Sequence, residues 1–301
     1  MNKALPLANI AACLLLLAGC ATFPAPSKSE SSLATGEAHF ANFRTNKVYY
    51  FTVGNGPRTV VFIHGWSCNS GFWRDQIPAL TDKARLILID LPGHGQSDKP
   101  HTDYTMDFFA GAVLAVMRDA LVDKATLVGH SMGTPVACRV YHQAPEKVAA
   151  LIAVDGILRR PKMTPEQCEQ FIAPFRTPEY REHTTKFIGS MFPIAGTEPL
   201  RSSVLAEMLA TPQYVMLGAM EGMFGPAQPD WDPQKVTVPV LVINAKNPMW
   251  TADYEAYVRS LSLQTDYRTL DGVGHFLMLE KPVPFNAALS EMLKKFDLIA
   301  K

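Results

Sequence analysis

Short runs of apolar residues recur along the chain with few polar residues inside them. Examples are "TVVFIHG", "RLILIDLPG", "ATLVGHS", "VAALIAVDG" and "PVLVIN", all rich in valine, isoleucine and leucine. Strands with one wet face alternate polar and apolar residues, whereas strands covered on both faces do not. The runs therefore predict buried strands of a mainly parallel sheet.

Helical stretches lie between these strands. Residues 107–122, "DFFAGAVLAVMRDALV", and residues 134–145, "TPVACRVYHQAP", have the length and apolar spacing of helices packed on a sheet. Two earlier strands, "HFANFR" and "KVYYFTV", are predicted around the turn-forming pair Thr45-Asn46. Strand and helix in alternation predict an α/β fold with right-handed crossovers, whose core spans residues 37–156 and 236–301.

One interval interrupts this alternation. Residues 157–235 contain no buried-strand run and consist of proline-punctuated helical stretches, which predict a helical cap inserted between two strands of the sheet. Its large apolar residues can form a small core of their own or the wall of an apolar pocket. Six of them are expected in the second role: Phe187, Met191, Phe192, Met216, Met220 and Phe224.

The amino terminus predicts export. Residues 1–19 hold one early lysine and an apolar stretch too short to cross a bilayer comfortably, which is typical of a signal peptide. "LAGC" resembles the bacterial lipobox, and this resemblance implies lipid attachment to Cys20; the alternative is an ordinary signal in which Cys20 is incidental. Ala21 after the cysteine favours an outer membrane, facing the periplasm. Residues 20–36, rich in proline, serine and alanine, are predicted to be a flexible tether.

The composition of the chain limits the kinds of binding partner that we expect. Hydrophobic residues make up 48% of the chain, and 28 basic side chains balance 28 acidic ones with no long run of either sign. A nucleic-acid surface or polybasic membrane patch is therefore not expected. Beyond the signal, Cys68, Cys138 and Cys168 are an odd number of thiols without metal-binding spacing, and no disulfide pair is chosen. Cys138, in an apolar helix, is expected to be buried and free.

The strongest chemical signal is a serine between two glycines. Gly129-His130-Ser131-Met132-Gly133 matches the G-x-S-x-G nucleophile elbow, and it has the expected context of a buried strand before it and a helix after it. On these residues the chain resembles the α/β-hydrolase superfamily, in its serine-nucleophile branch with a helical cap, from about Phe40 to the end.

The resemblance implies roles for further residues. "VFIHGWSCNSGFW" is similar to the loop that helps to form the oxyanion hole, so the amides of Trp66 and Met132 are expected to face the developing negative charge. "GVGHFLMLEKP" is similar to the loop of the catalytic histidine and follows the last expected strand, "DYRTL". It makes His275 the general base. Structural roles are expected instead for His64, His94 and Asp98.

The acid of the triad has no obvious position. The family most often carries an aspartate after the strand "PVLVIN", but the turn that follows, "AKNPMW", contains no acid. Asp155 lies at the end of the preceding strand and keeps the chain order of nucleophile, acid and base. Asp155 is therefore the first candidate, Asp253 and a weakly orienting Asn247 remain alternatives, and a helix cap is the structural alternative for Asp155.

The resemblance implies hydrolysis of an ester or similar acyl bond of a small, partly apolar substrate through an acyl-serine intermediate. It implies no metal and no organic cofactor. A carbon–carbon bond hydrolase, a lactonase and a perhydrolase-like side activity remain alternatives within this chemistry. A non-catalytic lipoprotein that holds an apolar ligand in the same fold is the alternative outside it. The oligomeric state is left open.

Overall fold

A single sheet organises the part of the chain that the computed structural model describes, residues 36–300. The predicted signal, Cys20 and almost all of the predicted tether lie outside these residues. Within them, eight strands form the sheet in the order β1-β2-β4-β3-β5-β6-β7-β8. The strands are β1 (Glu37–Phe43), β2 (Asn46–Val53), β3 (Thr59–Ile63), β4 (Arg85–Ile89), β5 (Ala125–His130), β6 (Val148–Val154), β7 (Val240–Ala245) and β8 (Thr265–Leu270).

The sheet is parallel except at one edge. β1 and β2 form an antiparallel hairpin, and β2 runs antiparallel to β4. The pairs from β4 through β3, β5, β6 and β7 to β8 are all parallel. All six residues of β5 and all six of β7 are buried, which is the physical reason why their sequences are mostly apolar and show no polar alternation. The prediction of a mainly parallel sheet is confirmed.

Helices cover this sheet. They are α1 (Ile77–Leu80), α2 (Met106–Asp119), α3 (Gly133–Gln143), α4 (Pro165–Ile172), α5 (Tyr180–Ser190), α6 (Glu198–Met208), α7 (Gln213–Phe224), α8 (Ala252–Leu261), α9 (Leu277–Glu280) and α10 (Pro282–Lys295). The two helices predicted around residues 107–122 and 134–145 are present as α2 and α3. α2 ends earlier than predicted because Leu121 adopts a left-handed backbone with φ 54°, which no helix continues.

Four helices, α4 to α7, lie between β6 and β7, where the sequence predicts the cap. α4 begins at a capping box: the Thr164 hydroxyl accepts the N–H of Gln167, whose side chain accepts the N–H of Thr164. The Arg160 guanidinium donates to the carbonyls of Phe224 and Gln228, and so holds the end of α7 to the start of this insertion. No helix within residues 36–300 is long and apolar enough to cross a membrane.

The carboxyl ends of the parallel strands meet along one edge of the sheet. Ser131 follows β5, and Asp155 follows β6 on the neighbouring strand. The loop after β8 carries His275. Loops at this edge are where an α/β sheet places its ligands, because the strands end there and the covering helices leave a crevice.

Candidate active site

Ser131 occupies a tight turn between β5 and α3. Its φ is 51°, a left-handed conformation that a residue other than glycine adopts only under constraint. A Cβ at Gly129 would clash with the carbonyl of Gly133, and one at Gly133 would clash with the carbonyl of Ile63. The two glycines are therefore required for close packing, and the turn presents the serine at the edge of the sheet.

The loop after β3 passes directly over this serine. A Cβ at Gly65 would lie 3.1 Å from the Cβ of Ser131, so the backbone leading to Trp66 is closely packed against the elbow. Met132 is the N-cap of α3, and its backbone N–H belongs to the positive end of that helix. Both residues line the same cavity as Ser131. The Trp66 side chain points to the cap: its indole N–H donates to the Met216 carbonyl at 2.8 Å.

His275 and Asp155 are in direct contact. Nδ1 of His275 lies 2.7 Å from Oδ2 of Asp155, although 120 residues separate them in the sequence. Asp155 is only 3% exposed. Its other oxygen, Oδ1, accepts the backbone N–H of Ala245 at 2.8 Å and the indole N–H of Trp250 at 3.2 Å. The carboxylate therefore has three donors, which compensates for its removal from water.

The backbone of the loop around His275 is held from several sides. The backbone N–H of His275 donates to the carbonyl of Met191 in the cap at 3.0 Å. The backbone carbonyl of His275 accepts Nε2–H of His130 at 2.9 Å. The Glu280 carboxylate accepts the N–H groups of Gly274 at 2.8 Å and Phe276 at 3.1 Å. Burial raises the pKa of Glu280, although the two N–H donors oppose this.

Neither alternative partner, the acid Asp253 or the amide Asn247, is hydrogen-bonded to His275. Asp253 is exposed on the first turn of α8. Asn247 is exposed as well, and its Oδ1 accepts the N–H of Met249 at 2.7 Å, so its side chain stabilises its own loop. Of the three candidates, the structure brings only Asp155 to the histidine.

The histidines expected to be structural are buried and neutral. Nδ1–H of His64 donates to the Gly65 carbonyl, and Nε2 accepts the N–H of Leu91 at 2.9 Å, so this ring joins two loops. Burial lowers the pKa of His64 to about 4 and that of His94 to about 3. Asp98 accepts the N–H of Lys47 at 2.7 Å, which fixes the turn in "DLPGHGQSD" to β2.

A cavity of about 610 Å³ lies over these residues. This volume is within the usual range for sites that bind small molecules. Four of the six cap residues predicted as pocket wall line it: Phe187, Met191, Met220 and Phe224. Phe192 and Met216 do not, because Phe192 stacks on Phe276 and Met216 is buried in the packing of α7.

The described residues offer no reactive cysteine and no group of metal ligands. Cys68, Cys138 and Cys168 are free thiols and all three are buried, as expected for Cys138. Cys68 lines the cavity, and burial raises its pKa well above the ordinary value, so its thiol is protonated. Among residues 36–300, no three His, Cys, Asp or Glu side chains are grouped so that they could hold a metal ion.

Sequence reasoning missed three supporting residues. Trp250 donates its indole N–H to Asp155. Glu280 accepts backbone N–H groups of the loop that carries His275, and the Met191 carbonyl accepts the N–H of His275 itself. Glu280 lies five residues after His275 in "HFLMLE", and an acidic residue that ends an apolar segment beside the histidine was a usable signal. For the other two the chain offers no local sign, because their contacts depend on packing between distant segments.

Comparison with known proteins finds relatives and solved structures among the hydrolases. A segment 43% identical over 108 residues relates the chain to a pimeloyl-[acyl-carrier protein] methyl ester esterase of Methylococcus capsulatus. It covers 36% of this chain and 40% of that protein. Solved structures match more of the chain. An esterase from Exiguobacterium antarcticum has a TM-score of 0.76 at 20% identity, covering 86% of this chain and all of that one.

An enol-lactonase from Burkholderia xenovorans LB400 has a TM-score of 0.75 at 18% identity, over 85% of this chain and 100% of that one. Such low identities show the fold and not the activity. Residues 58–182, which include β3 to β6 and the serine elbow, match the family model of the alpha/beta hydrolase fold. The eight-stranded, mostly parallel sheet with its flanking helices is accordingly an alpha/beta hydrolase fold.

Proposed function

We propose that the protein is a serine hydrolase that cleaves an ester or similar acyl bond of a small, partly apolar substrate. Ser131 is the nucleophile, His275 the general base and Asp155 the acid that orients it. The observation that carries the proposal is the contact of 2.7 Å between His275 and Asp155. Both residues line one cavity with Ser131.

The contact assigns the proton on the imidazole. A carboxylate only accepts hydrogen bonds, so Nδ1 of His275 carries the hydrogen and donates it to Asp155. Nε2 is then left with a lone pair that can accept a proton from Ser131. The buried negative charge of Asp155 also stabilises the imidazolium that forms during the reaction.

The reaction follows in two halves. Oγ of Ser131 bonds to the acyl carbon while its proton moves to Nε2 of His275, and the carbonyl oxygen becomes an oxyanion. The N–H groups of Trp66 and Met132 stabilise this charge, a contribution of about 3 kcal/mol for one such donor in a well-studied protease. The bond to the leaving alcohol breaks as His275 returns the proton to it. Water then attacks the acyl-serine by the same steps and releases the acid.

The cavity supports an apolar acyl group. Phenyl rings and methionine side chains of the cap form much of its wall, including Phe171, Phe187, Met220 and Met223. Such a wall binds by burying apolar surface and adapts its shape through the flexible methionines. The related esterase of Methylococcus capsulatus acts on a methyl ester, which is consistent with this chemistry.

A fluorophosphonate probe tests the proposal. The wild-type protein is expected to be labelled on Ser131 and to hydrolyse p-nitrophenyl butyrate, whereas Ser131→Ala and His275→Ala lose both properties. Ser190→Ala is the matched control, because Ser190 lines the same cavity and should remain neutral. Labelling elsewhere, or no labelling together with tight binding of an apolar ligand, would favour the non-catalytic lipoprotein instead.

We also propose where the enzyme works. "LAGC" at residues 17–20 supports lipid attachment to Cys20 and export. The substrate would then be met in the bacterial envelope, at the inner face of the outer membrane.

A further inference from the structure

Trp250 contacts the buried acid from the loop after β7. Its Nε1–H donates to Oδ1 of Asp155 at 3.2 Å. The same loop begins with Ala245, whose backbone N–H donates to the same oxygen at 2.8 Å. Oδ2 is thereby left for His275 at 2.7 Å. Two donors on one oxygen and one on the other determine the plane of the carboxylate, which a single donor would leave free to rotate.

The acid needs such support because of its backbone. Asp155 has φ 42°, in the left-handed region where residues other than glycine are strained. The residues after it start the insertion between β6 and β7. They are held by Tyr254 of α8, whose hydroxyl accepts the N–H of Leu158 at 2.9 Å and donates to the Gly156 carbonyl at 3.3 Å. Trp250 packs on Tyr254 with ring centroids 5.1 Å apart. The segment from Trp250 to Tyr254 therefore braces the acid and the chain that follows it.

The indole ring of Trp250 has a second contact. It forms part of the wall of the cavity that Ser131, Asp155 and His275 share. One side chain thus donates to the acid through its N–H and borders the space for substrate through its ring.

We propose that Trp250 has two separable roles: its N–H positions Asp155 for His275, and its ring determines which acyl substrates the cavity accepts. The inference rests on the proposed function, since it needs Asp155 to act in the reaction. The N–H affects the chemical step, because a misaligned acid stabilises the imidazolium only as that charge forms. The ring affects substrate binding, because its contacts with an apolar acyl group exist before the reaction.

Two substitutions separate these roles. Trp250→Phe keeps an aromatic ring and removes the donor. Trp250→Gln removes the ring and keeps an N–H donor, at the same number of bonds from Cα as the indole nitrogen. Glu255→Gln is the control, because Glu255 lies on α8 close to Trp250 in the chain, pairs with Arg259 at the surface and does not line the cavity. All variants are measured with an aromatic acyl ester, and thermal melting checks their folding.

We expect one substitution to change mainly kcat and the other to change mainly KM. Trp250→Phe should lower kcat about tenfold, the effect of losing a hydrogen bond to a charged group, and leave KM within about twofold. Trp250→Gln should restore kcat to within about twofold of wild type and raise KM about tenfold, through lost apolar contact. Glu255→Gln should match the wild type in both constants. The positioning role is wrong if kcat of Trp250→Phe equals that of the wild type, and the specificity role is wrong if KM of Trp250→Gln is unchanged.

Proton NMR gives a readout without substrate. The downfield resonance of the His275 Nδ1–H, shared with Asp155, should shift in Trp250→Phe and keep its position in Glu255→Gln. An unchanged resonance in Trp250→Phe would overturn the positioning role even if an activity assay failed. Fluorophosphonate labelling of the wild type distinguishes failure of this inference from failure of the proposed function. A labelled Ser131 with an unaffected Trp250→Phe rejects this inference alone, whereas an unlabelled, inactive wild type rejects the proposed function and this inference with it.

Discussion

Asp155 and His275 are joined by a hydrogen bond of 2.7 Å across the carboxyl edge of the sheet. The acid follows β6, yet the backbone N–H that supports it belongs to Ala245, at the end of β7. β6 and β7 are neighbouring parallel strands, so their ends lie side by side. A carboxylate on either strand could reach the same histidine, which explains how the acid can stand one strand away from its commonest place.

Replacing this acid should disable the base while preserving the fold. An amide at position 155 in Asp155→Asn can donate to Nδ1, which moves the imidazole hydrogen to Nε2 and leaves no acceptor for the serine proton. We expect at least about a hundredfold loss in kcat, since the equivalent change in a serine protease costs about 10⁴. Ester hydrolysis and circular dichroism measure the two properties.

The controls for this change are the two other residues that the sequence offered as partners of His275, the acid Asp253 and the amide Asn247. Asp253→Asn and Asn247→Ala alter exposed side chains without contact to His275, and should keep activity within about twofold. Collapse of Asp253→Asn beside an active Asp155→Asn would move the acid to α8. Full activity in all three variants would indicate a two-residue site of Ser131 and His275.

Glu280→Gln should weaken catalysis through the loop of His275. The carboxylate accepts two N–H groups, from Gly274 and Phe276, whereas an amide that keeps one of them turns its own N–H₂ toward the other. We expect kcat to fall about tenfold, with the loss of one hydrogen bond to a charged group. Glu291→Gln, which breaks an exposed ion pair with Arg268, should leave kcat unchanged. Equal kcat for both variants would show that Glu280 does not position the loop.

Stability should fall on acidification below about pH 6.5, the ordinary pKa of histidine. Burial lowers the pKa of His64 to about 4, of His94 to about 3, and of His130 well below its usual value. Between the ordinary histidine pKa and these lowered values, the histidines of the unfolded chain bind protons, whereas those of the folded chain remain neutral. The stabilisation is therefore complete above the unfolded pKa and is lost as the pH falls toward the folded values. For His64 alone the loss is about 3 kcal/mol.

Urea unfolding at pH 7.5 and pH 5 measures the part of this loss that occurs above pH 5, where the folded His64 is still neutral. His64→Gln should be less stable at pH 7.5 but less sensitive to the change in pH. His101→Gln is the control, since His101 is exposed and its substitution should leave the pH sensitivity intact. The interpretation fails if wild type and His64→Gln lose the same free energy of unfolding between the two pH values.

Short-chain and aromatic acyl esters should be better substrates than long-chain triglycerides. The cavity of about 610 Å³ is lined in part by apolar cap side chains, so an acyl chain that outgrows it gains no further apolar contact there. We expect kcat/KM for p-nitrophenyl esters to rise to a middle chain length and then decline. Phe187→Ala enlarges the cavity and should shift that optimum to longer chains. A steady rise with chain length and a jump at a lipid interface would identify a lipase.

Export and lipidation are tested at Cys20. Mass spectrometry should find Cys20 as the first residue of the mature chain, bearing diacylglycerol, and Cys20→Ala should release the protein from membranes. Cys13→Ala changes a cysteine within the same apolar segment and should have no effect. A soluble wild-type protein that starts at another residue would exclude the lipoprotein.

The sequence by itself determined the sheet and the position of the serine. Mostly apolar runs without polar alternation, such as those of β5 and β7, are stable only when both faces are covered, so they indicate a buried parallel sheet without reference to distant residues. Gly129 and Gly133 identify the elbow for an equally local reason, since backbone atoms a few residues away, or on the next strand, leave no room for a side chain.

Only the tertiary structure distinguished the candidate acids. Asp155, Asp253 and Asn247 are all a short distance from strand ends in the sequence, and local patterns cannot say which of them faces His275. That choice depends on how the loops after β6, β7 and β8 pack together, as do the contacts of Trp250 and Met191. Contacts between residues about 100 positions apart arise from the packing of the whole sheet edge, and no segment of sequence contains the geometry that selects one carboxylate.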